Sequence, residues 1–187
     1  LKIFDDYVHN YHSFNLTNIH GGNSFTMVEI DYFAKLGSML GFSVFTEDTI
    51  DSQSRPMDLT WWDGYDEENK QWTELILHLE RENRYDKDHE TLIKLFKDNR
   101  KFKPHNVIGI LNVRNESGAE ELVKEAEKLC KVPNALLIIR IYPEVKAYLF
   151  NENKKVQERT AYFHEVQDIL FLSYDQIITT ERVKPEP

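Results

Sequence analysis

Arg55-Pro56-Met57-Asp58-Leu59-Thr60-Trp61-Trp62 and Gln71-Trp72-Thr73-Glu74-Leu75-Ile76-Leu77-His78-Leu79-Glu80-Arg81-Glu82 are two alternating runs separated by a polar stretch. Period-two alternation, with β-branched and aromatic side chains, marks both as strands. Asp63-Gly64 and Glu67-Glu68-Asn69-Lys70 punctuate them, so the spacing predicts a hairpin. Strand side chains point alternately to opposite faces. Leu75, Leu77 and Leu79 therefore share one face, and Ile76, His78, Glu80 and Glu82 share the other. Asp58, Thr60 and Trp62 fall together in the first arm. A hairpin folded about Asn69 sets Asp58 opposite Glu80 and gathers Asp58, Glu80 and Glu82 on one side of a sheet otherwise built from Leu, Ile and Trp.

Close carboxylates raise one another's pKa, and a poorly solvated carboxylate costs free energy. A divalent cation removes the conflict, and carboxylate oxygens are the ligands that Mg²⁺ or Mn²⁺ prefers. The plainer alternative is a salt-bridged strand end in solvent.

Outward from the hairpin, the stretch from Ser24 to Leu40 reads as a helix. Phe25, Val28, Tyr32, Phe33, Leu36, Met39 and Leu40 form its apolar arc, and Gly41 ends it. Glu29 falls inside that arc and has two readings. Thr26-Met27-Val28-Glu29 matches a capping box with Phe25 and Ile30 as staple; alternatively, Glu29 reaches across to Asp58 and Glu80. Before this helix, Ile3, Phe4, Tyr7, Val8 and Tyr11 predict a short amphipathic helix over residues 1–13, followed by a loop containing Gly21-Gly22-Asn23. That glycine pair makes neither a P-loop nor a dinucleotide-binding fingerprint. Phe42 to Thr46 is a strand, and Glu47 to Ser54 a polar loop.

Beyond the hairpin, Asp88 to Asn99 reads as a helix with Leu92, Ile93, Leu95 and Phe96 buried. Val107 to Val113 and Ala135 to Tyr142 are continuous apolar runs, as expected of strands covered on both faces. Ser117 to Cys130 is a helix with Ser117 as its N-cap. Val145 to Phe150 is an outer strand. Thr160 to Ile177 reads as a final amphipathic helix using Tyr162, Phe163, Val166, Ile169, Leu170 and Tyr174. The pattern predicts a mixed central β-sheet with helices on both faces, in one α/β domain over residues 1–187. Within it, 1–23 is an N-terminal helix and loop, 24–142 the core, and 143–187 a C-terminal strand and helix.

Charged residues at 29% and hydrophobic residues at 41% fit an ordinary globular domain, and no apolar run approaches the length of a membrane span. The expectation is a protein without membrane contact. The single Cys130 excludes an intramolecular disulfide; together with the lack of a signal-peptide pattern it leads us to expect a cytoplasmic location. A net charge of −9 argues against a simple nucleic-acid coat protein but not against a nuclease, whose acidic residues hold metal. Charge is uneven. From Arg84 to His105, seven Lys and Arg residues face four Asp and Glu residues. The stretch reads either as a phosphate-facing ridge or as a solvated helix face with i,i+4 pairs. His78 shares a face with Glu80 and reads as a half-buried, hydrogen-bonded histidine, with a metal ligand as the alternative. Trp61, Trp62 and Trp72 read as core and one cross-strand contact, with stacking on nucleobases as the alternative.

This order of elements, with these carboxylates, resembles the core of the PD-(D/E)XK nuclease superfamily, the restriction-endonuclease-like fold, over about Ser24 to Tyr142. In that family an acid on the first core helix, an Asp near the start of the second strand and a Glu on the third bind metal. The resemblance implies Glu29, Asp58 and Glu80 as ligands of Mg²⁺ or Mn²⁺, and Asp58, Glu80 and Glu82 as the catalytic set. Glu82 stands where the family usually has Lys. Some members with Glu there remain active, and others move the Lys to a neighbouring helix, where Lys94 is the candidate. Arg84, Lys87, Lys94 and Lys97 would contact phosphates. The implied activity is that of a metal-dependent endonuclease with DNA as the expected partner and a homodimer as an option. The alternative is a catalytically inactive nuclease-like module that binds DNA or protein.

Overall fold

A computed structural model describes residues 1–14, 22–49, 56–96, 101–166 and 169–176. The predicted hairpin is present as β2 (Met57–Asp66) and β3 (Gln71–Glu82). Leu59 pairs with Leu79 and Thr60 with His78, so one step further Asp58 lies opposite Glu80. The tip is held by Asp66, whose Oδ1 accepts hydrogen bonds from the Glu68 and Asn69 amides at 2.9 and 3.1 Å. Tyr65 and Trp72 pair across it, with ring centroids 4.8 Å apart. That is the cross-strand aromatic contact expected of one tryptophan.

The hairpin belongs to an eight-stranded mixed sheet whose strands follow chain order. β1 (Ser43–Asp48) pairs antiparallel with β2. β4 (Asn106–Asn112) and β5 (Asn134–Ile141) run parallel to β3. β6 (Glu144–Asn151), β7 (Lys154–Val166) and β8 (Ile169–Ser173) continue as an antiparallel meander. Among the described residues, four helices cover the sheet. α1 (Lys2–Phe14) and α2 (Gly22–Met39) pack Phe4, Tyr7, Tyr11 and Phe33 against Leu77, Leu79, Ile108 and Ile138. On the other face, α3 (Asp88–Leu95) and α4 (Glu116–Leu129) pack against Val107, Leu111, Leu137 and Ile139. The alternation of Ile108 and Ile110 with Val107 and Leu111 shows why β4 reads as a continuous apolar run: both its faces are covered. No described helix is long and apolar enough to cross a membrane.

A β-bulge between Trp61 and Trp62 shifts the hairpin register, so Leu75 pairs with Trp62 and packs with Met57 and Trp62 instead of sharing the face of Leu77 and Leu79. β6, expected as an outer strand, lies between β5 and β7. Further expectations are corrected. Residues 160–166 and 169–173 are strand, not helix. β6 buries Val145, Ala147, Tyr148 and Phe150, and its free edge needs hydrogen-bonding partners; β7 supplies them, in register from Glu144 opposite Tyr162. Next, α2 begins at Gly22, so Thr26 lies inside the helix and caps nothing; the Phe25 side chain lies outside the described residues. The N-cap of α4 is Asn115, not Ser117: Asn115 is extended, and its Oδ1 accepts from the Gly118 amide at 2.9 Å. Finally, Ile93 is 46% exposed, because α3 turns Leu92 and Leu95, but not Ile93, toward β4. That helix ends at Leu95, with Phe96 as its C-cap, short of the predicted Asn99; residues 97–100 and the tail from 177 lie outside the described residues.

Candidate functional site

The carboxyl end of β3 carries Glu80 on the face that α3 covers. Gly109 of β4 stands in register with Glu80. A Cβ at Gly109 would lie 2.7 Å from Leu95 Cδ1 and 2.8 Å from Leu137 Cδ2. The missing side chain lets α3 settle onto the sheet, and this brings Lys94 to the carboxylates. Its Nζ lies 2.5 Å from Glu80 Oε2 and 3.8 Å from Asp58 Oδ1. Asp58 Oδ2 accepts from the Arg81 amide at 2.7 Å. His78, fully buried rather than half-buried, places Nε2 2.5 Å from Glu80 Oε1. A cleft of about 120 Å³ opens here, lined by Asp58, Glu80, Glu82, Lys87, Glu90 and Lys94.

Electrostatics follow from this packing. Burial pushes the Asp58 carboxyl up from its ordinary 3.8 to about 6, and the charge of Glu80 adds to the push. The Arg81 amide and the Lys94 ammonium pull it down less strongly. The carboxylate pair thus retains repulsion that Lys94 does not cancel, which is the condition a divalent cation relieves. Among the described residues no three His, Cys, Asp or Glu side chains converge as a preformed metal site. Two carboxylates still fit Mg²⁺ or Mn²⁺, because such ions commonly take one or two protein carboxylates and fill the remaining positions with water and substrate phosphate.

The other expected residues are distributed differently. Glu82 lines the cleft, but its Oε1 accepts from the Asn83 and Arg84 amides at 2.8 and 2.9 Å, so it also fixes the chain leaving β3. Glu29 does not reach Asp58 and Glu80. It lies 2% exposed on the opposite face of the sheet, in the α1–α2 layer, where Arg81 Nε and Arg140 Nη2 donate to its two oxygens. Tyr7 Oη donates to it at 2.6 Å. Burial raises the Glu29 carboxyl, but Arg140, Arg81 and the Tyr7 hydrogen bond outweigh that and hold it below its ordinary value. Arg84 pairs with Asp86 at 2.7 Å and Lys87 with Glu90 at 2.9 Å, so this part of the basic stretch is an ion-paired surface. Lys97 lies outside the described residues.

Sequence reasoning missed the partners of Glu29, though a signal was there. Arg81 continues the Leu77-Leu79 face, and Arg140 interrupts the apolar run of β5. Three opposite charges at apolar positions need one another. Arg81 couples the two clusters, with its amide on Asp58 and its guanidinium on Glu29. No protein-family model, curated protein or solved structure matches this chain.

Proposed function

We propose that this protein is a nuclease of PD-(D/E)XK design that hydrolyses phosphodiester bonds in nucleic acid with Mg²⁺ or Mn²⁺. One observation carries the reading: the Lys94 ammonium stands 2.5 Å from Glu80 and 3.8 Å from Asp58, across paired strands. An acidic pair with a lysine beside it is the working set of that design, here with the lysine on α3 and Glu82 in its usual strand position. The succession α2, β1, β2, β3, α3, β4, with β4 parallel to β3, supports the same reading.

Asp58 and Glu80 would hold the divalent ion. When bound, it supplies Lewis-acid polarisation of the scissile phosphate and acidification of the attacking water. Lys94 would donate hydrogen bonds to that water or to a phosphate oxygen, and its charge would offset the negative charge that grows in the transition state. Glu82 would accept a hydrogen bond from the water and orient it. Asp58 must be ionised to hold the ion, and without metal its carboxyl stands at about 6, so Mn²⁺ binding should strengthen as pH rises through about 6.

The test is cleavage of labelled single-stranded and duplex DNA with Mn²⁺. Asp58→Asn and Glu80→Gln should each lower the rate at least ~100-fold, in line with the several kcal/mol of charge stabilisation a metal site supplies, with the fold retained. Full cleavage by either variant would overturn the assignment. A second reading is an inactive nuclease-like binding module, favoured by Glu82 in the lysine position and by the engagement of Glu29 with two arginines. It requires that the wild type neither cuts nor gains thermal stability from Mn²⁺.

A further inference from the structure

A second cavity, of about 550 Å³, opens on the other face of the sheet beside the carboxyl ends of β3, β4 and β5. Its size is that of a small-ligand pocket, and its position is where parallel sheets open a crevice. We propose that it takes one unpaired nucleotide, so that the substrate is nucleic acid with exposed bases; this rests on the nuclease reading above.

The walls are aromatic. Tyr142 is 79% exposed and lies parallel to Phe163, with centroids 6.1 Å apart and an 18° tilt. It offers a ring on which a base can stack. Tyr85, 50% exposed, lines the same cavity with the Arg114 guanidinium 5.3 Å from its ring centroid. The floor is cationic. Arg81 and Arg140 bring two guanidinium groups against the single carboxylate of Glu29, and Arg140 Nε is buried without a hydrogen-bond partner among the described residues. Amides complete the lining: Asn112 Nδ2 lies 3.3 Å from Asn83 Oδ1 at the strand ends. Aromatic faces bind any base, cations bind its phosphate, and amides read a base edge. Together these recognise a nucleotide better than an aliphatic or a purely anionic ligand.

The position relative to the cleft selects the strand form. Arg81 lines both cavities, and Glu82 and Asn83, adjacent in the chain, line one each. A strand with its phosphate at Asp58, Glu80 and Lys94 can pass the end of β3 and seat a nearby nucleotide in the pocket. A duplex must first unstack and unpair that base.

The experiment is fluorescence anisotropy of a labelled 12-nucleotide strand, its duplex and an abasic strand, in EDTA so that nothing is cut. The single strand should bind about 10-fold more tightly than the other two, and Tyr142→Ala and Arg114→Ala should each remove most of that preference at unchanged melting temperature. Equal binding of the three ligands, or of wild type and both variants, would overturn the inference. Competition by a nucleoside monophosphate, with no tighter binding of the strand, would overturn the strand assignment. The two readings fail separately. A strand bound through Tyr142 but never cut with Mn²⁺ sinks the nuclease and leaves the pocket. Cleavage that ignores Tyr142→Ala sinks the pocket and leaves the nuclease.

Discussion

Replacing Lys94 with Met keeps the length and apolar stem of the side chain and removes its ammonium. In the wild type that ammonium sits 2.5 Å from a Glu80 carboxylate that is 4% exposed, and 3.8 Å from Asp58. Removing one member of a buried ion pair costs about 3–5 kcal/mol. Lys94 and Asp58 keep 23% and 27% of their side-chain surface in solvent, which screens the interaction. The expected loss at pH 8 is therefore at the low end, about 2–3 kcal/mol. Its pH dependence has a definite sign. Asp58 titrates at about 6 in the fold against an ordinary 3.8, so the native state holds that proton more tightly. Stability falls as pH rises from about 4 to about 6 and then levels. Lys94 is one of the groups holding the Asp58 value down. Without it the value climbs further, and the fall in stability continues to higher pH. The deficit of Lys94→Met should thus be larger at pH 8 than at pH 5, by on the order of 1 kcal/mol. Urea unfolding in EDTA at both pH values, with equal m-values required, measures this. A deficit below about 0.5 kcal/mol, or one equal at the two pH values, would refute the proposed electrostatics of the cleft.

Two further substitutions test the supports of the site. Glu29→Gln leaves the Arg81 and Arg140 guanidinium groups facing a neutral amide, and should lower stability by about 3–5 kcal/mol at pH 7 in urea unfolding. Because the Glu29 value is held down in the fold, that penalty is full above its ordinary 4.5 and shrinks as pH falls through the folded value; a loss unchanged by acid would count against the cluster. Gly109→Ala puts a methyl group against Leu95 and Leu137 and should cost about 1–3 kcal/mol by overpacking. If α3 is displaced as expected, cleavage falls more than in Leu95→Val, which trims the same contact without lifting the helix; equal activities would separate Gly109 from the placement of Lys94.

The hairpin was legible because its information is local. Alternation assigned Glu80 and Arg81 to opposite faces. The turn alone did not set Asp58 against Glu80: it pairs Asp66 with Gln71 and Trp62 with Leu75, and a β-bulge that leaves Ile76 unpaired then shifts the register to Leu59 opposite Leu79. Lys94 was legible only as a candidate, since its reach depends on how deeply α3 settles, and that is fixed by a glycine on another strand. The place of Glu29 was not legible from α2 itself, although Arg81 and Arg140 at apolar strand positions carried a signal. A helical arc says which side of α2 is buried but not which face of the sheet it covers, and the connections put α2 on the face of Arg81 rather than of Glu80. The last 30 residues were ambiguous for a related reason. Tyr162, Val166, Ile169 and Leu170 satisfy a helical period, while Ala161 and Phe163 share one face with a period of two. The sequence by itself determined the mixed sheet and the strands covered on both faces, because these follow from backbone periodicity; the bulge that completes the acidic pair and the parallel pairing are tertiary. Tertiary structure decided that β7 and β8 are strands and that Glu29 serves two arginines, because an open sheet edge and buried guanidinium groups must be satisfied by whatever segment reaches them.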